Sequence, residues 1–171
     1  MIKQILIVAR REVEYWIENN IGPSTKPWAL ISIWNSSELM TFKNITLLKN
    51  KECKDVISIK FADTKVELEG MNLFNDMDAH HILNFINSTN ETEVEILIVH
   101  CAAGVSRSGA VGVFACRYLN LDEYNFRKIN RYIAPNMYVL DVLNKVSGIN
   151  DDYVKYWKDR LNSEENDGPL F

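Results

Sequence analysis

The sequence predicts an α/β fold in which helices flank a mostly parallel, twisted central sheet of four to five strands. Three observations support this prediction. Short apolar runs are nearly continuous and rich in β-branched residues, as is typical of strands that are covered on both faces. Segments with helical periodicity separate these runs. Only helical segments follow the last run, and this alternation favours parallel strand pairing.

The individual elements follow from the position of each apolar run and each helical pattern. The predicted strands are Gln4–Ala9, Trp28–Trp34, Asp55–Phe61 and Val94–His100, with Thr46–Leu48 as a short edge strand. The predicted helices are Arg11–Asn19, Asn75–Ile86, Ser106–Tyr118, Asp122–Arg131, Asn136–Val146 and Asp151–Leu161. Asn75 or Asp76 can cap the second helix, and Gly148 fits a helix C-terminus. Tyr124 and Tyr132 are expected to pack against helices.

Length, charge and cysteine content restrict the class of protein. The chain has 171 residues, which suits one domain over residues 1–161 followed by a polar, flexible tail over 162–171. The net charge is −4, so the surface as a whole does not attract nucleic acid or anionic lipid, and any bound anion needs a local site. No run of 18 apolar residues predicts a membrane span, and the N-terminal apolar run ends in Arg10 and Arg11, unlike a signal peptide. Three cysteines favour a reducing compartment, so we expect a cytoplasmic protein.

The segment from His100 to Gly109 joins the fourth strand to a helix and carries most of the predicted chemistry. In a parallel sheet, the binding crevice lies beyond the C-terminal ends of the strands. A loop of small residues there lets consecutive backbone N–H groups point inward and form an anion-binding nest, and the start of the helix adds its positive dipole end. Arg107 supplies a planar fork that can hold two phosphate oxygens, and Gly104 permits a backbone angle that a side chain would resist.

Cys101 is expected at the floor of this loop. The field that binds an anion also stabilises a thiolate, so we expect the pKa of Cys101 to fall into the range of about 3.5–7.5 that cysteines at helix N-termini show. A thiolate at neutral pH is a ready nucleophile. Ser108 can donate a hydrogen bond to the sulfur, and His100 can orient the loop through its ring N–H.

The pattern H-C-x-x-G-x-x-R-S resembles the signature of the cysteine-dependent protein phosphatases, most closely the compact dual-specificity and tyrosine phosphatase group. The resemblance covers roughly Trp28 to Gly148 and implies a protein tyrosine phosphatase-like fold. It also implies that Arg107 and the loop residues bind the phosphoryl group; these residues are Ala102, Ala103, Gly104, Val105 and Ser106. Unlike the loops of lipid-directed relatives, this loop contains no lysine.

The same resemblance implies a general acid, because the leaving oxygen must take a proton as the P–O bond breaks. The family uses an Asp on a loop after a strand, well upstream of the Cys. Asp63 fits this place, 38 residues before Cys101, although a solvated turn aspartate is an alternative interpretation. Asp76 and Asp78 are competing candidates, but both lie at a helix start, where capping explains a carboxylate.

Asn136 lies in Arg131–Asn136, which resembles the R-x-x-x-P-N segment of the dual-specificity group. There the Asn supports the phosphate loop by hydrogen bonding; the alternative interpretation is a simple helix cap after a proline. We expect neither metal nor cofactor, because Asp76 and His80 on one helix face are a weak metal signal and cysteine-based phosphoryl transfer needs none.

We expect different roles for the two remaining cysteines. Cys116 is expected to be a buried core thiol. Cys53 could resolve an oxidised Cys101, but the sequence does not place it.

Taken with the resemblance, the sequence predicts a hydrolase that removes phosphate from protein tyrosine, or from serine and threonine, through a cysteinyl-phosphate intermediate. Its partner would be a phosphoprotein substrate rather than nucleic acid or membrane; the oligomeric state stays open. The alternatives are a phosphate-binding module that has lost catalysis, an RNA 5′-triphosphatase, a phosphoinositide phosphatase and an arsenate reductase. The acidic net charge and the lysine-free loop weigh against the RNA and lipid substrates.

Overall fold

The computed structural model describes residues 1–35, 52–66 and 69–149, and within these ranges it shows a parallel sheet with helices on both faces. Its strands are β1 (Gln4–Ala9), β2 (Trp28–Trp34), β3 (Cys53–Lys60) and β4 (Ile96–Cys101). Its helices are α1 (Arg10–Glu18), α2 (Asp76–Asn90), α3 (Arg107–Tyr118), α4 (Glu123–Ile129) and α5 (Met137–Ser147). The predicted α/β class with parallel strands is therefore confirmed.

The sheet order is β1-β4-β2-β3, and each of the three strand pairs is parallel. All C-terminal strand ends consequently meet at one edge, where Ala9 pairs with Cys101 and Ser32 pairs with His100. The segment after β3, which begins at Phe61, reaches the same edge. The topology thus brings four distant parts of the chain to one place, as expected for a parallel sheet.

Successive residues of the central strands pack into two separate cores, since side chains alternate between the faces of a sheet. One core lies beneath α2, α3 and α5 and includes Ile31, Val99 and Phe114. The other lies beneath α1 and includes Trp28 and Leu30, which are fully buried. His100 and Cys101 are neighbours in β4, so they also point to opposite faces.

β1 lies at the edge of the sheet, and a single amide side chain covers part of its open side. Asn130, which follows α4, donates from Nδ2 to Ile5 O at 3.0 Å and accepts from Ile7 N–H at 2.8 Å. Asn130 also donates to Phe126 O within its own turn and is only 6% exposed. This amide therefore ties the connection between α4 and α5 to β1.

The predicted elements that fall within the described residues agree with the structure to within four residues. β1 and β2 have the predicted bounds, whereas β3 begins two residues early and β4 is displaced by one to two residues. α2 extends to Asn90, and Gly148 ends α5 with a left-handed φ of 72°. The predicted segments Thr46–Leu48 and Asp151–Leu161 lie outside the described residues.

Tyr124 and Tyr132 were expected to pack, and this is wrong, because they are 75% and 81% exposed. None of the helices in the described ranges combines the length and apolar character needed to cross a membrane.

Candidate active site

Cys101 is the last residue of β4, and its sulfur lies in a ring of hydrogen-bond donors. The Sγ atom is 3.1 Å from Ser108 Oγ, and the side chain is buried. Burial raises the pKa of the Cys101 thiol, but hydrogen bonds from the Ser108 hydroxyl and from the backbone N–H groups of Ser108, Val105 and Gly104 outweigh it. The net result is a lowered pKa, in the direction that the sequence predicts.

The loop from Ala102 to Ser106 curves around this sulfur because its carbonyl groups are held from outside. Ala102 O accepts from Arg10 N–H at 3.2 Å, Val105 O from Ala134 N–H at 3.2 Å, and Ser106 O from Asn136 N–H at 3.1 Å. A trans peptide directs its N–H opposite to its C=O, so these contacts direct the adjoining amides into the bowl. The loop can therefore receive an anion.

Gly104 is the residue on which the loop's close packing depends. Its φ is 73°, in the left-handed region that glycine adopts readily. A Cβ atom at this position would lie 2.7 Å from Ala9 N and from Val8 C, closer than van der Waals contact allows. The loop thus rests directly on the backbone where β1 joins α1.

Arg107 opens α3, and its side chain is 4% exposed. One terminal nitrogen, Nη1, donates to Phe61 O at 2.9 Å, which fixes the guanidinium against the segment after β3. Its Nε is buried, lies 3.8 Å from Asp63 Oδ2 and has no hydrogen-bond partner among the described residues. A buried guanidinium N–H in this state can readily donate to an oxyanion placed in the bowl.

Asp63 lies at this same edge, as the sequence predicts. Its Oδ1 accepts from Ser106 Oγ at 2.8 Å and from Asn136 Nδ2 at 2.8 Å. The competing carboxylates lie elsewhere in the fold: Asp78 accepts from Asn75 N–H in the capping box of α2, and Asp76 lies 3.4 Å from Lys145. Of the three candidates, Asp63 is the one in contact with the phosphate loop.

Asn136 combines the two interpretations that the sequence left open. Its Oδ1 caps α5 by accepting from Tyr138 N–H and Val139 N–H. Its backbone N–H supports the loop through Ser106 O, but its side-chain N–H groups face Asp63 rather than the loop. The predicted loop support therefore comes from the main chain of Asn136.

His100 is fully buried on the opposite side of β4 from the bowl, in a hydrogen-bond chain that sequence reasoning missed. Trp34 Nε1 donates to Ser32 Oγ at 2.6 Å, and Ser32 Oγ lies 2.7 Å from His100 Nε2. Because the indole is a donor only, the Ser32 hydroxyl hydrogen is available for His100 Nε2. His100 Nδ1 lies 3.3 Å from Cys101 O, so in the tautomer that carries its proton on Nδ1 the ring donates to that carbonyl, and the orienting role of His100 stays a prediction.

One signal in the sequence could have identified Ser32. It is the single polar residue in the apolar run Trp28–Trp34, and a polar side chain inside a covered strand requires a buried partner. Arg10 adds a further contact, since its guanidinium lies 4.5 Å from the Trp34 ring centroid while its backbone N–H holds Ala102 O.

The other cysteines lie away from the bowl. Cys53 opens β3 and pairs with Trp28, which in turn pairs with Ile96 at the start of β4. Cys101 ends β4, so the two thiols are separated by about 16 Å along the strands. The structure therefore does not support the idea that Cys53 resolves an oxidised Cys101. Cys116 is buried in the core, as predicted, and no group of three or more metal-ligating side chains occurs among the described residues.

Comparison with known proteins gives one curated relative and several related folds; no family model matches. The chain is 29% identical over 187 aligned positions to the dual specificity protein phosphatase PPS1 of Saccharomyces cerevisiae. The alignment covers 93% of this chain but 21% of the relative, so the chain spans about a fifth of that protein's length.

Two solved structures share the fold at low sequence identity. The human tyrosine phosphatase-like serine/threonine/tyrosine-interacting protein has a TM-score of 0.50 at 15% identity, over 83% of this chain and 86% of its own. PTPMT1 has a TM-score of 0.50 at 16% identity, over 94% of this chain and 96% of its own. The curated relative confirms the resemblance to the cysteine-dependent phosphatases that the signature after β4 indicates, and the two solved structures share the fold alone.

Proposed function

We propose that this chain hydrolyses phosphomonoesters through a covalent cysteinyl-phosphate intermediate. One observation carries the proposal: a thiol with a lowered pKa, a buried guanidinium and a carboxyl group converge on one bowl, although the carboxyl group comes from a separate part of the chain. A module that only binds phosphate needs the bowl and Arg107, but it does not need an acid held against the loop. The presence of Asp63 there supports catalysis.

In the first step, the Cys101 thiolate attacks phosphorus, so an S–P bond forms while the P–O bond to the leaving group breaks. The loop amides and Arg107 stabilise the equatorial phosphoryl oxygens as charge develops on them. Asp63, in its protonated form, gives its proton to the leaving oxygen. The products are the free alcohol or phenol and the cysteinyl phosphate.

In the second step, the Asp63 carboxylate takes a proton from water as that water attacks phosphorus. The P–S bond breaks, inorganic phosphate leaves, and the sulfur departs as a thiolate. Ser108 donates to that thiolate across the 3.1 Å contact and makes it a better leaving group. His100 holds the Cys101 carbonyl and so maintains the start of the bowl.

The substrate we propose is a phosphoprotein modified on tyrosine, or on serine and threonine. The name of the curated relative supports this class. A cavity of about 230 Å³ lies on the outer side of the phosphate loop, lined by Gly104 on one side and by Arg131 and Tyr132 on the other. The net charge of −4 and the lysine-free loop disfavour nucleic acid and lipid surfaces. All three cysteines are free thiols, which supports a reducing, cytoplasmic location.

A substrate panel tests the proposal directly. It contains p-nitrophenyl phosphate, phosphotyrosine and phosphothreonine peptides, a triphosphate-ended RNA and a phosphoinositide. We expect turnover of p-nitrophenyl phosphate and of the peptides, with the highest kcat/KM on a peptide. Binding of phosphopeptides without turnover of any ester would identify a binding module, and a preference for RNA or lipid would reassign the substrate.

The acid is tested with two esters that differ in their leaving groups. Asp63→Ala should lower kcat/KM for phenyl phosphate by about 10²-fold, because phenoxide needs the proton. It should affect p-nitrophenyl phosphate much less, because nitrophenoxide leaves well without protonation. Equal losses on the two esters would show that Asp63 is not the acid.

A further inference from the structure

The carboxyl group of Asp63 is held by two donors from two separate segments, and both act on the same oxygen. Ser106 Oγ in the phosphate loop and Asn136 Nδ2 at the start of α5 each lie 2.8 Å from Asp63 Oδ1. The other oxygen, Oδ2, lies 3.8 Å from Arg107 Nε. The two oxygens of this carboxyl group are therefore in different surroundings.

The orientation of the Asn136 amide is determined by the helix that it caps. Its Oδ1 accepts from Tyr138 N–H at 3.1 Å and from Val139 N–H at 3.2 Å, so the oxygen end is committed to α5. The NH₂ end must then face Asp63. The backbone N–H of Asn136 also bonds Ser106 O at 3.1 Å, so the two donors are linked to each other as well as to Asp63.

This arrangement determines which oxygen can carry the proton. Oδ1 accepts two hydrogen bonds, and a proton on Oδ1 would oppose those donors. The proton of the neutral acid therefore belongs on Oδ2, the oxygen beside the guanidinium that binds the phosphoryl group. Oδ2 is thus the oxygen that is free of those two donors and next to the guanidinium.

We propose that Ser106 and Asn136 are positioning residues that set the rotation of the Asp63 carboxyl group and direct its protonated oxygen at the leaving group. The proposal rests on the proposed function, since it concerns how the acid of that reaction is oriented. It assigns to the loop a second task besides phosphate binding: the loop holds the acid in place through a side chain of its own. Efficient catalysis depends on such orientation, and a small misplacement of a catalytic group can cost about 10²-fold in rate.

Two variants remove the donors one at a time. Ser106→Ala removes the hydroxyl, and Ser106→Thr keeps it. Asn136→Ser keeps a side chain that caps helices about as well as asparagine, but its hydroxyl is too short to reach Asp63. Asn75→Ser is the matched control, because Asn75 caps α2 with the same pair of backbone contacts and does not touch Asp63.

The readout is the ratio of kcat/KM for p-nitrophenyl phosphate to kcat/KM for phenyl phosphate. We expect Ser106→Ala and Asn136→Ser each to raise this ratio about tenfold, by slowing phenyl phosphate more than p-nitrophenyl phosphate, and the double variant to approach Asp63→Ala. Ser106→Thr and Asn75→Ser should keep the wild-type ratio. In an Asp63→Ala background, the two substitutions should leave the ratio unchanged, because the residue through which they act is gone.

The outcomes separate this inference from the function on which it rests. If Asp63→Ala raises the ratio but Ser106→Ala and Asn136→Ser slow both esters equally, the two residues only maintain the loop and the inference is wrong. A wild-type ratio in both single variants would overturn it as well. If Asp63→Ala itself leaves the ratio unchanged, the acid assignment fails and takes this inference with it.

Discussion

Cys101 lies just before α3, and Cys116 lies within it. Both are buried thiols, yet their pKa values shift in opposite directions. They are 2% and 1% exposed. Burial raises the pKa of both, but at Cys101 the donors of the loop outweigh it. At Cys116, burial raises the pKa to about 11, and the nearby carboxylates Glu123 and Asp122 add to the rise. Burial alone therefore does not decide whether a thiol is inert; the number of donors directed at the sulfur does.

The backbone explains why only one of these sulfurs receives donors. Cys101 precedes a loop whose N–H groups at Gly104 and Val105, together with that of Ser108 in α3, donate to the sulfur. Cys116 lies inside α3, where amide groups are used by the helix itself. Its own Sγ donates to Leu121 O at 3.8 Å, which suits a neutral thiol.

The largest expected difference between the two thiols is in turnover. Cys101→Ser should lower kcat on p-nitrophenyl phosphate by at least about 10³-fold, because the nucleophile is lost. Cys116→Ser should keep kcat within about twofold, since the residue contacts no part of the bowl. Steady-state assays on both variants, with circular dichroism to confirm folding, make the comparison. A comparable loss in Cys116→Ser would place the chemistry elsewhere.

The second difference is in reactivity toward an alkylating reagent. Iodoacetamide at pH 6.5 should label Cys101 and leave Cys116 unlabelled, as mass spectrometry of the native protein would show. Ser108→Ala removes a donor to the thiolate, so it should raise the pKa of Cys101 and slow its labelling about tenfold. An unchanged midpoint in the pH profile of labelling would mean that the backbone amides lower the pKa of Cys101 without the Ser108 hydroxyl.

A third prediction concerns stability against pH, for which the two thiols have opposite signs. The pKa of Cys116 is raised, so its contribution to the free energy of unfolding is present below the ordinary thiol pKa. That contribution is lost as pH rises toward about 11. The pKa of Cys101 is lowered, so its contribution is present above the ordinary pKa and is lost as pH falls.

Urea unfolding of the wild type and of each Cys→Ser variant measures these contributions. Between pH 7 and pH 10, the stability difference between wild type and Cys116→Ser should narrow by about 1 kcal/mol. The difference in the free energy of unfolding between wild type and Cys101→Ser should widen from pH 7 to pH 9. Parallel curves for the two variants would contradict the opposite shifts.

The smallest expected effect concerns the buried chain behind the bowl. Ser32→Ala removes the partner of His100 Nε2, so the ring is less firmly held against the Cys101 carbonyl. We expect labelling of Cys101 at pH 6.5 to slow about threefold and the Tm to fall by about 4 °C. Ser147→Ala is the control, because the Ser147 hydroxyl donates to a carbonyl of its own helix. A lower Tm with unchanged labelling would limit Ser32 to a structural role.

Features that are local in sequence could be predicted well. β1 and β2 have the predicted bounds, because each is a continuous apolar run with clear ends. Cys101 and Arg107 lie six residues apart on one turn from strand to helix, so their convergence follows from the motif itself. The displaced ends of β3 and β4 reflect pairing, which extends each strand as far as its partner continues: Cys53 to Trp28, and Cys101 to Ala9.

Features that depend on contacts between distant segments could not be read from the sequence. The bond from Asn136 to Asp63 spans 73 positions, and the contact of Ser32 with His100 spans 68. Neither spacing has a periodic pattern, since both arise from how the strand ends meet. Tyr132 was misjudged for the same reason: its segment lies on the rim of the cavity beside Gly104, where an aromatic ring faces solvent.

Asn130 has a consequence for how this protein behaves in concentrated solution. The outer side of β1 presents Ile5 O and Ile7 N–H, the groups to which a strand from another molecule would add. Asn130 occupies both with its own amide, so the middle of that strand offers no template for intermolecular pairing. One side chain thereby protects an apolar edge from aggregation.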